Sequence, residues 1–331
     1  MPKVHFKRGG FIESSHQIEA VAVDRAGRPI LATTRPHYRT FWRSGAKPFQ
    51  ILPFLARGGM EKFNLTEREL SVMVSSHSGD EFHLQLVRSI LGKMGLSPEN
   101  LACGVSEPLD AAIARQLYKD GRPYSALHND CSGKHAAMLG LALLTGAPLA
   151  GYTSPDHPVQ RLMRSAVALS AGLAESEMDE GVDGCGVPTF CLPLRNMALA
   201  YARLSAPTEE DWQDRRADVA RIRDAMRHNP DCVGGRGRFE TVLMETTGGR
   251  LIAKLGAEAS FCIGCCPTGQ GLVFKVIDGG RRALEHFGIY ILKRLDWITA
   301  EEQTALLKHF PPEIRNDHQQ PVGSAEIEWD A

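Results

Sequence analysis

Apolar residues recur at helical spacing in some stretches of the chain and alternate in others, and the order of these patterns sets the first expectation of the fold. Residues 81–95 carry Leu84, Leu86, Val87, Ile90 and Leu91 on a helical period and end near Gly95, which predicts a helix. Residues 132–145 read as an apolar helix, 158–173 as another, and 210–227 as a strongly charged helix lying on the surface. Residues 44–57 also read as helical, with a kink expected at Pro53. Residues 17–33 alternate instead, with Ile18, Ala20 and Ala22 on the side opposite Val21 and Val23. A turn at Asp24-Arg25-Ala26-Gly27-Arg28 makes that stretch a hairpin. Residues 70–80 run from an apolar stretch into a polar turn, and fit a short buried strand or a helix end. Residues 240–246, 250–256, 259–264 and 271–277 read as successive short strands with glycine-rich turns. Residues 280–296 are expected to be helical, and the C-terminal tail to hold one strand. Strands at both ends around a helical middle imply an α+β fold, with a terminal antiparallel sheet packed with helices plus a helical middle region. Residues 1–331 then form one unit, with a soft division between 1–60 plus 235–331, which hold the sheet, and 61–234, which are largely helical.

Charge narrows the partners. With 38 basic and 39 acidic residues the net charge is −1, and no basic block or acidic tail stands out, so nucleic acid and anionic membrane are not expected partners. The first eight residues, Met1 to Arg8, lack the apolar stretch of a signal peptide. The longest apolar segment, Ala136 to Leu149, is broken by Gly140, Gly146 and Pro148 and is too short to span a bilayer. Eight cysteines in 331 residues are far from a dense disulfide framework, so reduced thiols and a cytoplasmic location are expected.

Candidate chemistry begins at Arg43-Ser44-Gly45-Ala46-Lys47-Pro48. Positions i and i+3 of a helix share a face, which sets the Lys47 ammonium beside the Ser44 hydroxyl. Pro48 places the pair in a first helical turn, where the helix dipole disfavours a protonated lysine and makes it a base for serine. Ser75-Ser76-His77-Ser78-Gly79-Asp80 and Asn129-Asp130-Cys131-Ser132-Gly133-Lys134-His135 are further polar clusters, for which turn and cap chemistry is the plain alternative. Lys254-Leu255-Gly256-Ala257-Glu258 sets a charged pair in strand-like sequence, where a solvated edge lysine is common. Cys103, Cys191, Cys232, Cys262, Cys265 and Cys266 read as core thiols. Cys131 and Cys185 differ, because each lies in a polar, glycine-containing turn. Two thiolates from separate loops could hold a metal such as Zn²⁺.

Taken in order, these stretches resemble the L-asparaginase II family of bacterial amidohydrolases. The matching segments also include Glu13-Ser14-Ser15-His16, His157-Pro158-Val159-Gln160, Asp183-Gly184-Cys185-Gly186-Val187-Pro188, Val233-Gly234-Gly235-Arg236-Gly237-Arg238-Phe239 and Asp278-Gly279-Gly280. The resemblance spans nearly the whole chain and implies a fold similar to serine β-lactamases and glutaminases, which share an S-x-x-K at a helix start and a K-x-G on a strand. Leu255 stands where β-lactamases favour a hydroxyl, and no S-D-N occurs, so a β-lactam substrate is not expected. The resemblance implies two catalytic serine–lysine pairs, Ser44 with Lys47 and Ser76 with Lys254, and a zinc site from Cys131, Lys134 and Cys185. Asp183 is placed to orient a metal-bound water or the substrate ammonium. Arg43 and His135 are candidate anchors for the substrate carboxylate by position alone.

The expected reaction is the conversion of L-asparagine to aspartate and ammonia, with zinc fixing substrate and loops rather than generating hydroxide, in a homodimer. A glutaminase or other serine amidase on the same scaffold is the enzymatic alternative, and a non-catalytic amino-acid-sensing module the alternative of another class.

Overall fold

The computed structural model describes residues 1–33, 35 and 37–329. Its strands in chain order are β1 (Lys3–Arg8), β2 (Phe11–Val23), β3 (Pro29–Ala32), β4 (Arg39–Phe41), β5 (Asp179–Val182), β6 (Pro188–Pro193), β7 (Leu251–Gly256), β8 (Ser260–Cys265), β9 (Gln270–Val276), β10 (Glu313–Arg315) and β11 (Pro321–Glu328). The alternation at the N-terminus becomes the β2–β3 hairpin, whose turn is closed by Asp24 Oδ1 accepting from the backbone N–H groups of Ala26 and Arg28. Both ends of the chain share one sheet, ordered β10-β11-β1-β2-β9-β8-β7, with β3 paired to β2. Every pairing in it is antiparallel. A second, three-stranded sheet, β4-β6-β5, had no counterpart in the hydrophobic pattern, because its strands are three to six residues long and partly exposed.

Two helical layers bury the large sheet. The helix Leu194–Ser205 packs on β2, β8 and β9. On the opposite face Phe274 meets Phe287 of the helix Leu284–Arg294 with ring centres 5.2 Å apart, and Phe261 meets Phe239 at 5.0 Å. Apolar area removed from water stabilises by about 25 cal/mol per Å², and each aromatic contact of this geometry adds about 0.5–1.5 kcal/mol. β7 and β8 are therefore buried on both faces, so a polar side chain on them must find its partners inside the protein.

The strand expected over 240–246 is instead the helix Phe239–Thr246. Its buried Val242-Leu243-Met244 run lies between β7 and the helix Ala300–His309, and so short an apolar run has no period by which strand and helix differ. The helix Ala300–His309 falls in a stretch to which the pattern gave no element, and β10 is a second strand in the C-terminal tail, expected to hold one. Residues 44–57 form not one helix but a tight turn, Arg43–Ala46, then Lys47–Gln50 and Leu52–Leu55, with Pro53 in the first turn of the last piece. Residues 70–80 leave the helix Glu67–Met73 and continue without regular structure from Ser75 to Asp80.

The helix Ser132–Thr145 occupies the predicted span and crosses the end of Glu67–Met73 at a glycine. A Cβ on Gly133 would lie 2.0 Å from the Val72 carbonyl oxygen, so only glycine lets the two backbones approach this closely. Gly133→Ala should destabilise the protein by about 1–3 kcal/mol through overpacking, read as a lower midpoint of thermal unfolding. An unchanged midpoint would mean that the helix can slide off Val72 freely.

Candidate active site

Ser44 enters the structure through a strained turn. Arg43, just after β4, has φ of +53°, a region that residues with a Cβ seldom occupy. Tertiary contacts hold it there. The Trp42 backbone N–H donates to Phe190 O at 2.9 Å, its indole N–H donates to Cys262 Sγ at 3.3 Å, and the Tyr201 hydroxyl donates to Gly45 O at 2.9 Å. Arg43 Nε donates to Asp183 Oδ1 at 2.7 Å. The Ser44 side chain makes no hydrogen bond to any described residue and faces a cavity of about 240 Å³.

Ser76 reaches the same cavity from the irregular segment after Glu67–Met73. Its N–H donates to Val233 O at 3.0 Å, Ser78 N–H donates to Gly234 O at 2.9 Å, and Arg238 Nη1 donates to Ser76 O at 2.6 Å. The glycine-rich motif from Val233 to Phe239 thus acts as a clamp on this segment. Ser76 Oγ lies 3.0 Å from Lys47 Nζ and 2.8 Å from Lys254 Nζ, so one hydroxyl bridges two buried lysines. Lys47 also donates to Ser75 O at 2.6 Å and lies 3.4 Å from both Asp130 O and Asp130 Oδ2. It makes no hydrogen bond to Ser44, its partner in the S-x-x-K motif. Lys254, opposite Cys262 in the β7–β8 ladder, has only Leu255 O at 2.9 Å besides Ser76.

The two amines therefore sit in different surroundings. Burial in the sheet, reinforced by the Lys47 ammonium, pulls Lys254 down from the usual lysine range to about 7. Burial alone would raise Asp130, but Lys47, His77 and Lys254 outweigh it and hold the carboxyl below its ordinary value. Lys47, ringed by two carbonyls and that carboxylate, is placed as the ammonium of the pair, and Lys254 as the amine.

A second cluster adjoins. Cys131, just before the helix Ser132–Thr145, meets Asp183 and Cys185 from the loop between β5 and β6, with ligand atoms all within 4.8 Å of one another. Lys134 Nζ lies 3.2 Å from Cys185 Sγ and 4.0 Å from Asp183 Oδ2. The Cys185 thiol is pulled far below the ordinary range by the Cys131 hydrogen bond, then by Lys134 and His135, against the effect of burial. Cys131 is pushed up by the same hydrogen bond, with burial adding to it. Burial would lower Lys134, yet Cys131, Cys185 and Asp183 together push it up. Two buried sulfurs and a carboxylate form a donor set that fits a borderline dication, and Lys134 can join it by giving up its proton.

Of the residues singled out in the sequence, Ser44, Ser76, Lys47 and Lys254 meet at or beneath the cavity, and Cys131, Lys134, Asp183 and Cys185 meet beside it. Arg43 links the two groups through Asp183. His135 is fully buried, with Nδ1 2.7 Å from the Tyr152 hydroxyl, and is not part of the cavity wall. The wall also holds Asp130, Arg238, Glu258 and Arg281, to which sequence reasoning gave no role at the substrate. Arg238 and Glu258 stand within recognised motifs, which was the available signal; Arg281 had none.

Among the comparisons, the family model described as L-asparaginase II matches residues 4–327. No match was found among the curated proteins. One of the similar solved structures is a candidate β-lactamase from Bacteroides dorei DSM 17855. It is 11% identical, with 88% of this chain and 93% of that one covered and a TM-score of 0.38.

Proposed function

Because the chain belongs to the L-asparaginase II family, and is on that ground an asparaginase-like amidohydrolase, we propose that it hydrolyses the side-chain amide of L-asparagine. The observation that carries the reading is Ser76 Oγ, held between Lys47 and Lys254 in the wall of the cavity that Ser44 faces. Above about pH 7 Lys254 is free to accept a proton. Ser76 can pass its own proton to Lys254 and take one from Lys47, which leaves Lys47 neutral. Lys47, one helical turn from Ser44, then accepts the serine proton as Ser44 Oγ bonds to the amide carbon. When the carbon–nitrogen bond breaks, the proton on Lys254 returns through Ser76 to the departing ammonia. Water then loses a proton to the lysine pair as its oxygen bonds to the acyl carbon, and the pair returns that proton to Ser44 Oγ as the ester bond breaks and aspartate leaves.

We further propose that the adjoining donors hold zinc, through Cys131, Lys134 and Cys185 with Asp183 beside them. Bound there, zinc supplies a fixed charge that orders the Cys131 and Cys185 loops. The chain's own part is positional: Arg43 ties Asp183 to the turn that presents Ser44. All eight cysteines are free, which supports a reducing, cytoplasmic setting.

The test is ammonia release from asparagine and glutamine in parallel, on protein whose metal content is measured. Asparagine is expected to be the better substrate, with close to one zinc per chain and a lower unfolding midpoint after chelation. Glutamine preference would move the assignment to a glutaminase, since one methylene is worth only about 1–3 kcal/mol to a pocket. No release from either would favour the sensing module. Zinc below about a tenth of an equivalent at neutral pH, where thiolate sites retain metal, would remove the metal proposal.

A further inference from the structure

The motif Asp278-Gly279-Gly280, and the end of the Lys254–Glu258 motif beyond its lysine, take no part in the serine–lysine chemistry, yet they converge on one carboxylate. Glu258 and Ala259 have φ of +60° and +53°, two successive side-chain-bearing residues in a region that favours glycine. A buried lysine holds this turn: Lys275 Nζ, on β9, donates to Glu258 O at 2.5 Å and to Val276 O. The neighbouring glycine gives the Glu258 side chain its space, because a Cβ on Gly279 would lie 2.5 Å from Glu258 Oε2. That glycine is fixed in turn. Asp278 lies 2.7 Å from His16 Nδ1 and accepts from Gly280 N–H at 2.8 Å.

Glu258 and Arg281 both line the cavity that holds Ser44 and Ser76. Neither makes an ion pair among the described residues, with each other or with any other group. The remaining charges of the wall are engaged, Asp130 with Lys47 and Arg238 with Glu240 and Ser76 O. A free acid and a free base on one small cavity are complementary to a zwitterion.

Resting on the amidohydrolase reading above, we propose that Glu258 binds the α-ammonium and Arg281 the α-carboxylate of the substrate, so that the cavity admits a free α-amino acid with its side-chain amide directed at Ser44. The two are then specificity-determining residues, and their effect falls on binding rather than on the chemical step.

The product, L-aspartate, tests this without turnover, alongside N-acetyl-L-aspartate, which lacks the ammonium, and the α-amide of aspartate, which lacks the α-carboxylate. Calorimetric titration of the wild type should show each derivative binding at least about tenfold more weakly than aspartate, the loss expected for one charged hydrogen-bonded contact. Glu258→Gln, which keeps the shape against Gly279, should weaken aspartate about tenfold and leave the N-acetyl compound unchanged. Arg281→Met should weaken aspartate and leave the α-amide unchanged. For asparagine turnover, KM should rise in both variants with kcat little altered. Equal losses for all three ligands, or none, would overturn the assignment. Ammonia release without this selectivity would sink the zwitterion contacts alone, and selectivity without ammonia release would sink the reaction alone.

Discussion

Ser44→Ala is expected to lower kcat/KM for asparagine by about a thousandfold or more, the scale of losing a nucleophile, with no change in thermal stability. The two halves of that expectation have separate grounds. The activity loss follows from a hydroxyl that faces the cavity with no protein partner and stands one turn from Lys47. The unchanged stability follows from the same lack of a partner, because removing the hydroxyl orphans no donor or acceptor. The strain sits at Arg43, whose bonds to Asp183 and whose backbone are untouched. Lys47→Met should abolish activity equally but should also destabilise, since it strips Ser75 O and the Asp130 carboxylate of a buried donor. Paired rate and unfolding measurements on both variants make the check. Activity of Ser44→Ala within a few-fold of wild type would remove it as nucleophile, and an acyl group trapped on Ser76 would transfer the role there.

For the wild type, kcat/KM should rise with pH along a limb centred near 7, where Lys254 loses its proton. In Lys254→Met the limb should vanish and the rate fall by about a hundredfold or more, the usual worth of a positioned acid or base. Stability should move the other way. In the unfolded chain Lys254 titrates near the free lysine value of about 10.4. Below about pH 7 it is charged in both states, and the folded protein bears the full penalty of a buried ammonium. Between about 7 and 10.4 only the unfolded chain binds the proton, so unfolding free energy rises with pH across that window and levels off above it. Methionine removes the penalty, so the variant should unfold at a higher temperature than wild type at pH 6 and lose this part of the pH dependence. A rate profile flat through pH 7 in the folded wild type would rule out Lys254 as the titrating group.

What could be read in advance depended on range. The helix Ser132–Thr145 was legible to its ends because eleven buried residues of its fourteen leave a long apolar run closed by Gly146. The helix Phe239–Thr246 was not, because six of its eight residues are buried in one unbroken run, Phe239 to Met244, which shows no helical period. At the site, the motif spacing gave Ser44 beside Lys47, but the structure turns Lys47 toward Ser76 and Asp130, contacts 29 and 83 residues away along the chain. No local pattern encodes which of several serines a lysine will choose. The same limit hid the Arg43–Asp183 pair, which made an arginine look free to bind substrate when its charge is held 140 positions further along the sequence.

The sheet that joins both chain ends also dictates the order in which the protein can mature. β1 lies between β2 and β11, and β2 pairs with β9, so the N-terminal strands stay half-matched until strands some 250 to 320 residues later are available. Closing such distant pairs makes for slow folding and a long interval with open strand edges. The helical middle, built from nearer neighbours, can form sooner. Lys254 rides on β7, the strand at the opposite edge, and reaches Ser76 only when the sheet has docked on those helices. During synthesis the chain therefore acquires most of its helix while still without its paired lysines, and the ability to cleave an amide would be among the last properties to emerge.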